Sequence, residues 1–176
     1  AGGSPTVDSN PVITSSSGTT NNTVTITAEK NATANVTLEN VNIDTRTTGE
    51  AAITTSGEGN VNIELNGTNT VQSGNTHAGV EKKGNGTLTI TDENKDGSLT
   101  ANGGGVGGAG IGGGISGTGS DVTISGDAQV KVQGGAADIY WHKGAAIGNG
   151  GTPTTDGNEV SPNTSDLTVD GFIQIY

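Results

Sequence analysis

Hydrophobic residues in this chain come in short alternating bursts, each bounded by Gly, Asn, Asp, Ser or Thr. Period-2 alternation of β-branched residues marks strands with one buried side, and the turn-formers between bursts mark tight corners. The bursts are of three kinds. A small–small–apolar unit occurs as Ala51-Ala52-Ile53, Ala78-Gly79-Val80, Ala109-Gly110-Ile111 and Ala145-Ala146-Ile147. An alternating triplet follows it as Val61-Asn62-Ile63, Leu88-Thr89-Ile90, Val122-Thr123-Ile124 and Leu167-Thr168-Val169. A third strand then closes each group: Thr70-Val71, Leu99-Thr100-Ala101, Val130-Lys131-Val132 and Ile173-Gln174-Ile175. Val36-Thr37-Leu38 and Val41-Asn42-Ile43 read as the last two strands of an earlier group, and Val24-Thr25-Ile26 as the opening of the stack.

Internal repetition at this spacing identifies a solenoid. On the middle triplet, Ile63 to Ile90 is 27 residues, Ile90 to Ile124 is 34 and Ile124 to Val169 is 45. Insertions lengthen the later repeats, the largest running from about Trp141 to Asn163. Three short strands in about 27 residues predict an all-β fold, a right-handed parallel β-helix (β-solenoid) with three strands per turn, each turn rising by roughly 4.8 Å. Val, Ile and Leu point inward; Thr, Asn and Ser point outward. The run Gly103–Gly114 has the composition of a flexible linker, but Ala109-Gly110-Ile111 falls in phase with the other small–small–apolar units, which makes it a rung. Open solenoid ends require caps. Residues 1–22 are expected to form a linker and N-terminal cap, with Ala1 to Pro5 the linker. Residues 23–176 form one β-helix domain with an insertion at about 141–163, and Phe172 and Tyr176 plug its C-terminal end.

Composition adds constraints. With only 28% hydrophobic residues among 176, a chain without this patterning would read as disordered. No cysteine is present, so disulfide and thiolate chemistry are excluded. The net charge of −11 makes nucleic acid an improbable partner, since phosphate neutralisation needs clustered Lys and Arg and the one adjacent basic pair is Lys82-Lys83. No apolar run is long enough to span a bilayer, so no membrane insertion is expected.

The in-phase pattern Ala-Gly-Ile-Gly-Gly-Gly, Val-Thr-Ile-Ser-Gly, Val-Lys-Val, Gly-Gly over residues 109 to 135 resembles glycine-rich repeats in large cell-surface proteins of gut Firmicutes, often labelled carbohydrate-binding or adhesin proteins. The resemblance covers roughly residues 35 to 176. It implies a Gram-positive, wall-anchored, multidomain parent in which this domain is a monomeric part. It also implies an extracellular location at the bacterial surface or cell wall, and a host glycoprotein (mucin or immunoglobulin) or glycan as partner.

Two local motifs carry candidate chemistry. Asp92-Glu93-Asn94-Lys95-Asp96-Gly97 matches the opening of a calcium loop, with oxygen ligands at Asp92, Asn94 and Asp96 and a glycine for the sharp turn. The twelfth position is Gly103 rather than a bidentate Glu, and strands rather than helices flank the loop. The alternative, an Asx turn joining two strands, accounts for the same residues and is favoured. Ca²⁺ is therefore a candidate weak ligand, and no other cofactor is indicated. The second motif is Asp138-Ile139-Tyr140-Trp141-His142-Lys143. All four aromatic residues lie between Tyr140 and Tyr176, and Tyr140, Trp141 and His142 place three rings together at the mouth of the longest insertion. Exposed Tyr and Trp stack on sugars and anchor protein interfaces, so Asp138, Tyr140, Trp141, His142 and Lys143 form the candidate binding site. The competing reading has Trp141 folding back over the core.

A binding or adhesion module is the leading reading. A structural stalk or spacer is the first alternative, and a carbohydrate-active enzyme on a β-helix the second. Enzyme chemistry has little to build on: two histidines, one arginine (Arg46) and no Gly-x-Ser-x-Gly elbow. The Thr-x-Thr stretches at 23–27 and 87–91 resemble ice-binding rows, but the equivalent positions 60 and 62 are both Asn, which breaks the row.

Overall fold

The computed structural model describes residues 8–16, 18–154, 167–169 and 172–175. Residues 1–7, which include the expected linker Ala1 to Pro5, and 155–163 of the insertion lie outside these, as does Tyr176. The described residues hold fifteen strands and no helix, so none contributes a helix long and apolar enough to cross a membrane.

The chain passes through three strand positions at five levels, separated by four full turns. β1 (Val12–Thr14) belongs to a partial level ahead of the first full one, which holds β2 (Val24–Ala28), β3 (Thr33–Glu39) and β4 (Asn42–Asp44); β1 pairs with β3. The second holds β5 (Ile53–Gly57) and β6 (Asn60–Gln72), the third β7 (Val80–Lys82), β8 (Leu88–Thr91) and β9 (Gly97–Asn102). The fourth holds β10 (Ile111–Gly112), β11 (Val122–Ser125) and β12 (Gln129–Gln133), the fifth β13 (Ile147–Gly148), β14 (Leu167–Val169) and β15 (Phe172–Ile175). All of these strand pairings are parallel. One face stacks β2, β5, β7, β10 and β13; a second stacks β3, β6, β8, β11 and β14; a third stacks β4, β6, β9, β12 and β15. At about 4.8 Å per level the stack is roughly 19 Å tall.

This is the parallel β-solenoid that the repeats predict, and the register agrees residue for residue. Ile53, Val80, Ile111 and Ile147 are successive partners on the first face. Val36, Ile63, Ile90, Ile124 and Val169 are partners on the second, and Ile43, Val71, Ala101, Val132 and Ile175 on the third. Burial alternates along β8, β9, β11 and β12, and the inward rows form one continuous apolar core. Ile111 and Gly112 form β10, which makes the glycine-rich run part of the stack rather than a linker.

Three details add to this pattern. Within the segment expected to cover the N-terminal end, β1 pairs with β3 and Thr20 bridges to Ile43. Thr25 pairs with Thr54 on the first face, whereas Thr89 pairs with Asn62 and Thr123 on the second, so the two Thr-x-Thr stretches never share a row. Finally, β6 runs unbroken for 13 residues across two faces. At the bend its buried Asn69 faces Leu99; it accepts the Val41 N–H at 2.9 Å and donates to the carbonyls of Asn66 and Ser98. A buried amide is tolerable only because both ends are satisfied.

Candidate functional site

The chain leaves the stack after Ala136, which bridges Val106, and rejoins it at Gly144, whose N–H bonds to the Gly135 carbonyl. The excursion is braced rather than loose. Asp138 Oδ1 accepts the N–H groups of Tyr140 and Trp141, both at 2.8 Å, an Asx turn that fixes the loop's direction. Residues 140–142 then run beside 152–154. Trp141 bridges Pro153 antiparallel, His142 N–H donates to Thr152 O, and Thr154 donates from its N–H to Tyr140 O and from Oγ1 to Ile139 O.

The result separates the candidate residues. Tyr140 is 64% exposed and its neighbour Ile139 79%, both at the tip. Asp138 and Lys143 are exposed, while Trp141 and His142 are half-buried. Asp138 shapes the loop, Trp141 sits in its brace, and Tyr140 with Ile139 presents the outward surface. Ile139 was not singled out by sequence, because an isolated Ile beside Tyr-Trp reads as core. The other large exposed apolar residues (Val12, Val169 and Ile175) belong to the strands that start and finish the stack.

Asp92 is buried, whereas Asn94 and Asp96 are exposed. The Asp92 carboxylate faces the backbone: Oδ1 accepts the Asp96 N–H at 3.2 Å and Oδ2 the Gly97 N–H at 2.8 Å. Lys95 takes a left-handed backbone (φ 62°) and pairs through Nζ with Asp127 Oδ2 at 2.8 Å, one level on. This is turn geometry. Among the described residues no three His, Cys, Asp or Glu side chains gather as a metal would need.

A charged cluster absent from the sequence candidates lies at the end of β7. Glu81 is 3% exposed, and its carboxylate takes three donors: His77 Nδ1 at 2.7 Å and Ala78 N–H at 3.1 Å on Oε2, and Lys83 Nζ at 2.9 Å on Oε1. Thus Glu81 positions His77 and Lys83, which line a small cleft of about 200 Å³ with Thr25, Glu50 and Thr54. Lys82, 7% exposed, lines a larger cleft of about 530 Å³ between the 84–85 corner and the 114–121 segment of the next coil. Burial pushes the Lys82 pKa below the usual lysine range, and the negative charge of Asp121 partly opposes that shift. The signal was present in the repeat. After the small–small–apolar unit the other levels continue Thr-Thr-Ser, Gly-Gly-Gly and Gly-Asn-Gly, whereas this one continues Glu-Lys-Lys.

No protein-family model matches this chain, and neither a curated protein nor a solved structure matches it.

Proposed function

We propose that this domain is a non-catalytic binding module of a bacterial surface protein, engaging a host glycoprotein, an immunoglobulin or a glycan through the 138–143 loop. The observation that carries the reading is the exposure of Ile139 and Tyr140 on a braced loop, away from the strands that start and finish the stack. Leaving two large apolar side chains in water gives the domain no folding benefit. Interfaces use such residues as anchors, and Tyr supplies wide contact area at low entropic cost. A pre-braced loop also loses little freedom when it meets a partner.

The test is binding of the purified domain to a glycan array, immobilised mucin and immunoglobulin G. The wild type is expected to bind one of these probes, and Tyr140→Ala to reduce that binding by about ten-fold or more, as for an interface anchor. Its melting temperature should stay where the wild type's is, because Tyr140 is outside the core. Wild-type silence on every probe would favour a spacer. Retained binding by Tyr140→Ala would remove the loop from the site.

A further inference from the structure

Lys82 is the residue that the scaffold does not account for. It pairs with Thr55, which in turn pairs with Ile26, and both of those are buried in the inward row. A lysine takes the next place in that row, at the end of β7, and lines the larger cleft. The ammonium has three donors. One goes to the Gly84 carbonyl at 2.8 Å, and among the described residues Lys82 makes no ion pair. By contrast Lys30, Arg46, Lys83 and Lys95 each reach a carboxylate. In a chain with 18 acidic residues, a cation taken out of water with no carboxylate in ion-pair contact is expensive, since Asp121 acts on it only from across the cleft.

The surroundings specify what would complete it. Besides Lys82 the cleft carries Glu81 and Lys83, which pair with each other at 2.9 Å, with Asn85, Thr118, Ser120 and Asp121 as further polar groups and Ile115 as an apolar one. Ser120 Oγ hydrogen-bonds Asp121 Oδ2 at 3.3 Å, which orients that carboxylate. A single ammonium matches a single negative charge, and Asp121 in the same cleft opposes a dianion such as phosphate. Amide, hydroxyl and carboxylate groups together pair with sugar hydroxyls, and Ile115 offers a surface for a sugar's C–H side. About 530 Å³ falls within the size range of small-molecule sites.

We propose that this cleft binds an acidic monosaccharide unit, with its carboxylate on the Lys82 ammonium and its hydroxyls on Asn85, Ser120 and Asp121. The site is separate from the 138–143 loop and stands or falls independently of it.

Calorimetric titration with galacturonate and with galactose isolates the carboxylate, since the two sugars differ only there. Galacturonate is expected to bind in the millimolar range, and galactose about ten-fold more weakly or less. Lys82→Met should weaken galacturonate binding about ten-fold or more while raising the melting temperature, because a buried charge has been removed. Lys30→Met removes the same charge from an exposed pair and should bind like wild type. Lys82→Gln is the second variant if Lys82→Met does not fold, with the same loss expected. The proposal is overturned if galacturonate does not bind, if galactose binds equally, if the Lys82 variant that folds titrates like wild type, or if inorganic phosphate binds as tightly.

Discussion

Replacing Asp92 with alanine separates a structural turn from a cation site, because the two roles respond to different additions. Asp92 is 1% exposed and accepts two backbone N–H groups across the turn between β8 and β9. A hydrogen bond to a charged group contributes about 1.5–3 kcal/mol, and a buried donor left without a partner costs about 1–3 kcal/mol. Gly97 is buried, so its N–H loses its partner with no water to replace it; Asp96 is exposed, and its longer bond is replaced by solvent. Part of the loss is offset because a buried carboxylate no longer has to be desolvated. The net expectation for Asp92→Ala is about 2–3 kcal/mol. Asp92→Asn keeps an acceptor for Gly97 and should cost about half as much. The assay is urea unfolding at neutral pH, first with a chelator and then with excess Ca²⁺. Asp92→Ala should lower the midpoint with an unchanged slope, and Ca²⁺ should leave both curves in place. A bound cation at 100-fold over its Kd would add about 2.7 kcal/mol to the wild type alone. Such a calcium-dependent gain, or a loss under about 0.5 kcal/mol in Asp92→Ala, would refute the turn assignment.

Two further predictions address the corners and the outer face. Gly104→Ala would place a Cβ 1.9 Å from the Gly74 carbonyl oxygen, so about 1–3 kcal/mol or more of destabilisation is expected in the same unfolding assay; a neutral result would return residues 103–108 to the status of a linker. Glu64 has its pKa raised, chiefly by burial, with the charges of Asp92 and Glu93 adding to the shift and backbone bonds from Glu93 and Asn94 opposing it. The folded state therefore holds the Glu64 proton more tightly than the unfolded chain does. Its favourable contribution is complete below the ordinary carboxylate range and is lost as pH rises through the raised value. Glu64→Gln keeps an acceptor for the Glu93 N–H and should be slightly more stable than wild type at neutral pH, with the gap closing on acidification; a gap that widens in acid would contradict the assignment.

What the sequence discloses is the inward rows. Ile63, Ile90, Ile124 and Val169 can be aligned by eye because period-2 alternation is a local property, visible within five residues. Asn69 and Lys82 escape that reading. Asn69 sits inward at the bend of β6, with Val41 and Ser98 of the adjacent coils among its partners, and Lys82 sits inward at the end of β7, beside a cleft whose far wall is residues 114–121 of the next coil. The loop shows the same division. The cluster of rings marks where to look, yet Trp141 is braced against Pro153 while Ile139 is exposed, and that difference depends on Thr152 and Thr154 closing the far side. The strand within the 1–22 segment is hidden for a related reason: Val12–Thr14 is too short to show a period, and only its pairing with β3 reveals it.

Ile53 and Val80 are partners across 27 residues of chain, and Ile111 and Ile147 are partners across 36. The extra length is absorbed entirely in the corners, and the rows remain in phase. Position along the axis is thus set by counting levels, not residues, which uncouples what the corners display from what the core requires. A different peptide could be spliced between Ala136 and Gly144 without moving the Ile147 rung, so the fold works as a ruler whose markings stay fixed while its labels are exchanged.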